Sequence, residues 1–69
     1  MATIYEKFGV KVRSLRKKKK LSQEKLAEFI NRDPRTVVAI ETGKRNPTLK
    51  TIYKISLALK IPLSELFKF

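Results

Sequence analysis

The chain has 69 residues, enough for one small domain over 1–69, and seventeen Lys and Arg against six Asp and Glu give it a net charge of +11. That balance calls for a polyanionic partner, with nucleic acid the foremost class. Without a cysteine or a histidine it has no disulfide and no thiolate or imidazole metal site, and its scattered carboxylates, like the lack of any apolar run near the roughly 20 residues of a membrane span, lead us to expect no metal, no cofactor and no membrane association.

The first predicted element is a helix over residues 3–19. Ile4, Phe8, Val12 and Leu15 recur at the spacing of one buried stripe. Gly9 inside it costs about 1 kcal/mol relative to alanine, which suggests a close helix contact there. The run Lys17 to Lys20 puts cations at the helix C-terminus, where the macrodipole favours them. Two readings of that run coexist, a solvated helix end and a phosphate-facing rim.

Leu21 precedes Ser22 as a hydrophobic staple precedes a cap, and Leu26, Ala27 and Ile30 then follow at helical spacing. Ala27 stands where two steeply crossing helices need a small side chain. Gln23, at the first helical position, is either an ordinary helix-start residue or a phosphate anchor through its free backbone N–H and its amide. Glu24 and Glu28 suit the early turns of a helix and need no catalytic role. Asn31 tolerates a left-handed conformation and can end this helix. Asp33-Pro34 then restarts the chain, an N-cap acid before a proline at the first helical position. In the helix 34–42, Val37 and Ile40 face inward while Arg35, Val38, Ala39 and Thr42 face outward. Two short helices hinged this way, over about 22–42, make the pattern of a DNA-binding helix-turn-helix.

Gly43 reads as a C-cap, Asn46-Pro47 as a turn and Thr48 as the cap of a fourth helix, 49–59. Its inward face is expected to be Leu49, Ile52, Ile55 and Leu59, with Lys50 and Lys54 outside. After Ile61-Pro62, Leu63, Leu66 and Phe67 form a last short helix. The chain shows no strand-like alternation and no internal repeat, so the expected class is all-α.

The phrases VRSLRKKKKLSQEKLAE, TVVAIETGKRNPTLKTIYKISLALKIP and LSELF, from about Phe8 to Phe67, resemble the phage repressor/Cro helix-turn-helix family, which includes restriction-modification controller proteins. The resemblance implies a compact five-helix, lambda-repressor-like domain that binds operator DNA as a two-fold homodimer to repress or activate transcription. A cytoplasmic location is the separate expectation from the lack of any membrane span or apolar leader stretch in the sequence. The resemblance further implies that helix 34–42 enters the major groove. It also implies a structural ion pair between Arg16 and Glu41. The chain departs from the family pattern at Asn31, where glycine is frequent, and at Arg32, where a buried aliphatic residue is usual. Pro34, Val38 and Ala39 occupy outward positions at which many members carry polar side chains, so hydrogen-bonded base readout is expected to be sparse.

The base-facing set is therefore Pro34, Arg35, Thr36, Val38 and Ala39. Arg35 has the fork that suits guanine O6 and N7, with a phosphate contact as the alternative. Val38 and Ala39 offer methyl surface to thymine, unless they are simply solvated. Thr36 bonds a base, a phosphate or its own helix. Phosphate contacts fall to Gln23, Arg32, Thr42, Lys44, Arg45 and Lys17. Leu63, Leu66, Phe67 and Phe69 concentrate apolar surface at the C-terminus. Leu63 and Leu66 suit the core, Phe67 and Phe69 suit a dimer interface, and Leu63 is the further interface candidate. Phe69 folded onto its own domain is the alternative. The competing function class is an antitoxin-like or co-activator module that uses the same fold to bind a protein. No nucleophile–base pair or metal cluster suggests an enzyme, and no small-molecule ligand is evident.

Overall fold

Four of the five helices begin at a residue whose side chain accepts a hydrogen bond from the first turn. In the computed structural model, which describes residues 2–69, these are α1 (Ile4–Lys18) capped by Thr3, α2 (Gln23–Phe29) by Ser22, α3 (Pro34–Glu41) by Asp33 and α4 (Leu49–Leu59) by Thr48. Each such cap is worth about 0.5–2 kcal/mol to its helix. At Thr3 the cap is reciprocal: the Glu6 N–H donates to Thr3 Oγ1 at 3.1 Å, and the Thr3 N–H to Glu6 Oε1 at 2.8 Å. The short α5 (Leu63–Leu66) follows Pro62, which offers no side-chain cap.

The helix ends are as uniform as the starts. Lys20, Asn31, Gly43 and Lys60 all adopt positive φ, between 56° and 75°. Behind each, the next N–H closes back on the preceding helix: Leu21 to the Arg16 carbonyl, Arg32 to Ala27, Lys44 to Ala39 and Ile61 to Ser56, at 2.9–3.1 Å. These are Schellman closures. Asn31 and Gly43 were expected in this role, and Lys20 and Lys60 were not.

The core joins Phe8, Val12 and Leu15 of α1 to Leu26 and Ala27 of α2 and Val37 and Ile40 of α3. Ile30, Ile55, Leu59 and Leu66 complete it, with Leu21, Ile52 and Ile61 packed around the edge. Gly9 is buried at the crossing of α1 and α3; a Cβ there would collide with the Ile40 carbonyl oxygen and lie 2.6 Å from that of Glu41. The close contact inferred from Gly9 is this one.

Three expected inward positions face solvent instead. Ile4 is 59% exposed, Leu49 77% and Leu63 37%. Each is the first residue of its helix. Because the Cα–Cβ bond tilts toward the helix N-terminus, a side chain at that position projects past the helix end rather than onto its packed face. The buried stripe of α4 therefore starts later, and it includes Thr51 and Ser56. Lys54, expected outside, is half-buried. Among the described residues no helix is long and apolar enough to cross a membrane.

Candidate nucleic-acid interface

α3 is fixed by packing on one face and by a polar clamp at its end. Val37 and Ile40 are fully buried beneath it, which turns Arg35, Val38 and Thr42 outward. Glu41, in its last turn, is also buried and receives two hydrogen bonds from Arg16: Nε donates to Oε2 at 2.7 Å and Nη2 to Oε1 at 3.1 Å. Arg16 Nη1 donates to the Leu21 carbonyl at 2.7 Å, so the same guanidinium also holds the link between α1 and α2. Gln23 Nε2 donates to Glu41 Oε1 at 3.1 Å, which brings the first residue of α2 against the end of α3. No buried side-chain polar atom among the described residues lacks a partner.

Arg35 stands at the second position of α3 with its side chain 92% exposed. It is not a free fork. Its Nε donates to Asp33 Oδ1 at 3.0 Å and its Nη2 to Asp33 Oδ2 at 3.1 Å. The backbone N–H of Arg35 adds a third bond to Oδ1 at 2.8 Å. These side-chain bonds above all, then the backbone bond, hold the Asp33 carboxyl below its ordinary range, and Asp33 in turn raises the pKa of Arg35.

The other base-facing candidates sit on the same helix. Pro34 and Val38 are exposed, and Thr36 and Ala39 half-buried. Thr42 is exposed, but its hydroxyl donates to the Val38 carbonyl at 2.8 Å, with the Ala39 carbonyl at 3.3 Å. In that rotamer it has only acceptor capacity left, which a phosphate cannot use. Gln23 likewise spends one amide proton on Glu41 and keeps the other, along with its backbone N–H. Arg32, Lys44, Arg45 and Lys17 are exposed, and none of them has an ion-pair partner among the described residues. Lys44 and Arg45 leave α3 directly behind the Gly43 turn. Gly43, at φ 75°, packs so closely on α1 that a Cβ would lie 2.7 Å from the Glu6 Cα. That contact anchors the cationic loop to the body of the protein.

Sequence reasoning missed Asp33 as a partner of the Arg35 side chain, although the Asp-Pro-Arg order carries the signal. An N-cap acid two positions before an arginine can reach both the backbone N–H and the guanidinium.

A short helix that buries Leu26 and Ala27, followed across a tight turn by a second one with a solvated, arginine-bearing face, defines a helix-turn-helix protein, and the chain belongs to that family, whose model matches residues 12–66. Within it the chain is similar to the control protein C.MunI of a Mycoplasma species, 48% identical over 68 residues that span 97% of this chain and 92% of C.MunI. It is also similar to the cryptic phage CTXphi transcriptional repressor RstR of Vibrio cholerae, 36% identical over 59 residues that span 86% of this chain and 53% of RstR. The crystal structure of the restriction-modification controller protein C.AhdI from Aeromonas hydrophila superposes with a TM-score of 0.89 at 44% identity, covering 91% of this chain and 96% of that one.

Proposed function

We propose that this protein is a sequence-specific double-stranded DNA-binding transcriptional regulator that reads the major groove with α3 and acts as a homodimer on a palindromic operator. The observation that carries the reading is the outer face of α3. Arg35 and Val38 are presented to solvent by a helix locked through Val37, Ile40 and Glu41, and unpaired Lys44 and Arg45 flank it. The exposed side chains of that face lie outside the core, and a net charge of +11 suits the protein to a polyanion. Similarity to proteins named as a transcriptional repressor and as restriction-modification controllers supports the same reading.

In this reading Arg35 donates to a guanine edge, Val38 and Ala39 meet thymine methyl groups, and Thr36 and Pro34 line the rest of the groove. Lys44, Arg45, Arg32, Lys17 and the amide groups of Gln23 hold the phosphates, which sets orientation without reading sequence. Thr42 joins them only if its hydroxyl leaves the Val38 carbonyl.

Selection of bound duplexes from a random pool tests the proposal. The expected result is an enriched motif repeated with two-fold symmetry, its half-sites centred about one helical turn apart. Arg35→Ala should then lower discrimination at one base pair per half-site by about 5- to 150-fold. Lys44→Ala should weaken operator and random DNA alike, and reduce the slope of log affinity against log salt by about one. A pool that returns no motif, with the amide resonances of residues 34–45 unmoved by duplex DNA at low salt, would overturn it.

A further inference from the structure

Asp33 makes more bonds than an N-cap requires. Capping α3 takes one carboxylate oxygen and one backbone N–H, here Oδ1 and the Arg35 N–H at 2.8 Å, and serine would cap as well. The two bonds to the Arg35 side chain are additional. They contribute little to folding, because the arginine is 92% exposed and the aspartate half exposed.

Their effect is on geometry. A guanidinium carries five N–H donors, one on Nε and two on each Nη. Asp33 takes the Nε proton and one Nη2 proton, which together form one edge of the fork. The adjoining edge, with one proton on Nη1 and one on Nη2, stays open, and two parallel donors at that spacing match guanine O6 and N7. The carboxylate also offsets the arginine's charge. A paired guanidinium is drawn less strongly to a phosphate, while its hydrogen bonds to a neutral base edge are kept.

We propose that Asp33 is a positioning residue for base readout: it orients Arg35 with its Nη1–Nη2 edge toward guanine and diverts it from the phosphate backbone. This rests on the base-reading role of Arg35 proposed above, and it adds a residue that sets specificity without touching a base.

The test measures preference at each operator position, together with salt dependence on random DNA, for the wild type, Asp33→Ser, Asp33→Asn, Arg35→Ala and the double variant Asp33→Ser/Arg35→Ala. Serine and asparagine both cap helices, so α3 is kept, and an unchanged thermal midpoint verifies this. The expected result for Asp33→Ser is a loss of about tenfold in guanine preference at the Arg35 position. Binding to random DNA should tighten, with a salt slope steeper by about one as the released arginine finds a phosphate. Asp33→Asn, which keeps an acceptor oxygen without the charge, should fall between. In the Arg35→Ala background, Asp33→Ser should change preference no further. If Asp33→Ser keeps full guanine preference while Arg35→Ala abolishes it, Asp33 has no positioning role and the base-reading role of Arg35 stands. Further loss in the Arg35→Ala background would also overturn the proposal, because Asp33 would then act without Arg35. Preference left unchanged by Arg35→Ala itself would remove the base-reading role, and the positioning role with it.

Discussion

Arg16 and Glu41 show how one pair of side chains can fix three helices against one another. Both are at least nine-tenths buried, and between them they tie α1, the link after it, α2 and the end of α3 into one network. A buried ion pair is not a cheap way to gain stability, since much of its Coulomb energy offsets the desolvation of both ions. Losing one partner is costly, because the other is left charged and dry. Arg16→Ala should therefore destabilise the fold by about 3–5 kcal/mol, read by chemical denaturation, and that is a large share of what a domain of this size has. Arg16→Met combined with Glu41→Leu should recover most of the loss, because apolar replacements leave no unpaired charge. Gln23 then loses its acceptor, but it is only half-buried and water can replace Glu41. If the double replacement proved as damaging as Arg16→Ala, the network would owe its value to directed hydrogen bonds rather than to avoided desolvation.

At the scale of the elements, the same closure recurs at four helix ends, and its cost depends on which residue occupies the left-handed position. Gly43 adopts it freely and Asn31 readily, whereas Lys20 and Lys60 set a Cβ against the following carbonyl, at about 1 kcal/mol or more each. Lys60→Gly should accordingly raise stability by about 1 kcal/mol, less the extra freedom glycine gives the unfolded chain. A rise in thermal midpoint without change in DNA affinity checks it; a fall would mean that the lysine side chain contributes more than its backbone costs. Starts and stops that depend on side-chain chemistry were legible in the sequence: the caps Ser22, Asp33 and Thr48, the proline after Asp33, and the turns at Asn31 and Gly43. The lysines at positions 20 and 60 were not, because nothing in a lysine signals positive φ and only the packing of the next element demands it. The exposure of Ile4 and Leu49 was not legible for a related reason, whereas for Leu63 the sequence left both core and interface open. Periodicity finds a stripe but does not say where the neighbouring helices end. In the candidate site, the outward face of α3 followed from periodicity, whereas the bonding of Arg35 to Asp33 and of Thr42 to its own helix needed coordinates.

For the whole molecule, one outward helix face is a limited reader. Each discriminated base pair contributes about 1–3 kcal/mol, and the chain offers few polar groups on α3, so the proposed two-fold pair doubles a short readout. Apolar surface for such a contact is present at the C-terminal end. Phe67 stacks on Phe8 with ring centroids 5.4 Å apart, and Phe69 follows at 6.4 Å from Phe67. Leu63, Phe67 and Phe69 all remain substantially exposed. Beside Phe67 lies a shallow apolar hollow of about 120 Å³ that Ile4, Pro47 and Ile52 help to line. A standard stable interface takes about 800 Å² from each partner, close to a sixth of the 4797 Å² this chain exposes. Two terminal phenylalanines alone fall short of that, so Leu63 and the hollow, with Ile4 on its wall, should contribute. Phe67→Ala is a poor probe, because it also strips Phe8 of its partner. Phe69→Ala and Leu63→Ala leave the core intact, and each should shift the monomer–dimer equilibrium seen by sedimentation toward monomer. Affinity for a full palindrome should fall in step, while affinity for a single half-site stays unchanged. A chain that sediments as a monomer at high concentration, and whose Phe69→Ala variant binds the palindrome as tightly as the wild type, would remove the C-terminal interface and leave α3 to find its specificity alone.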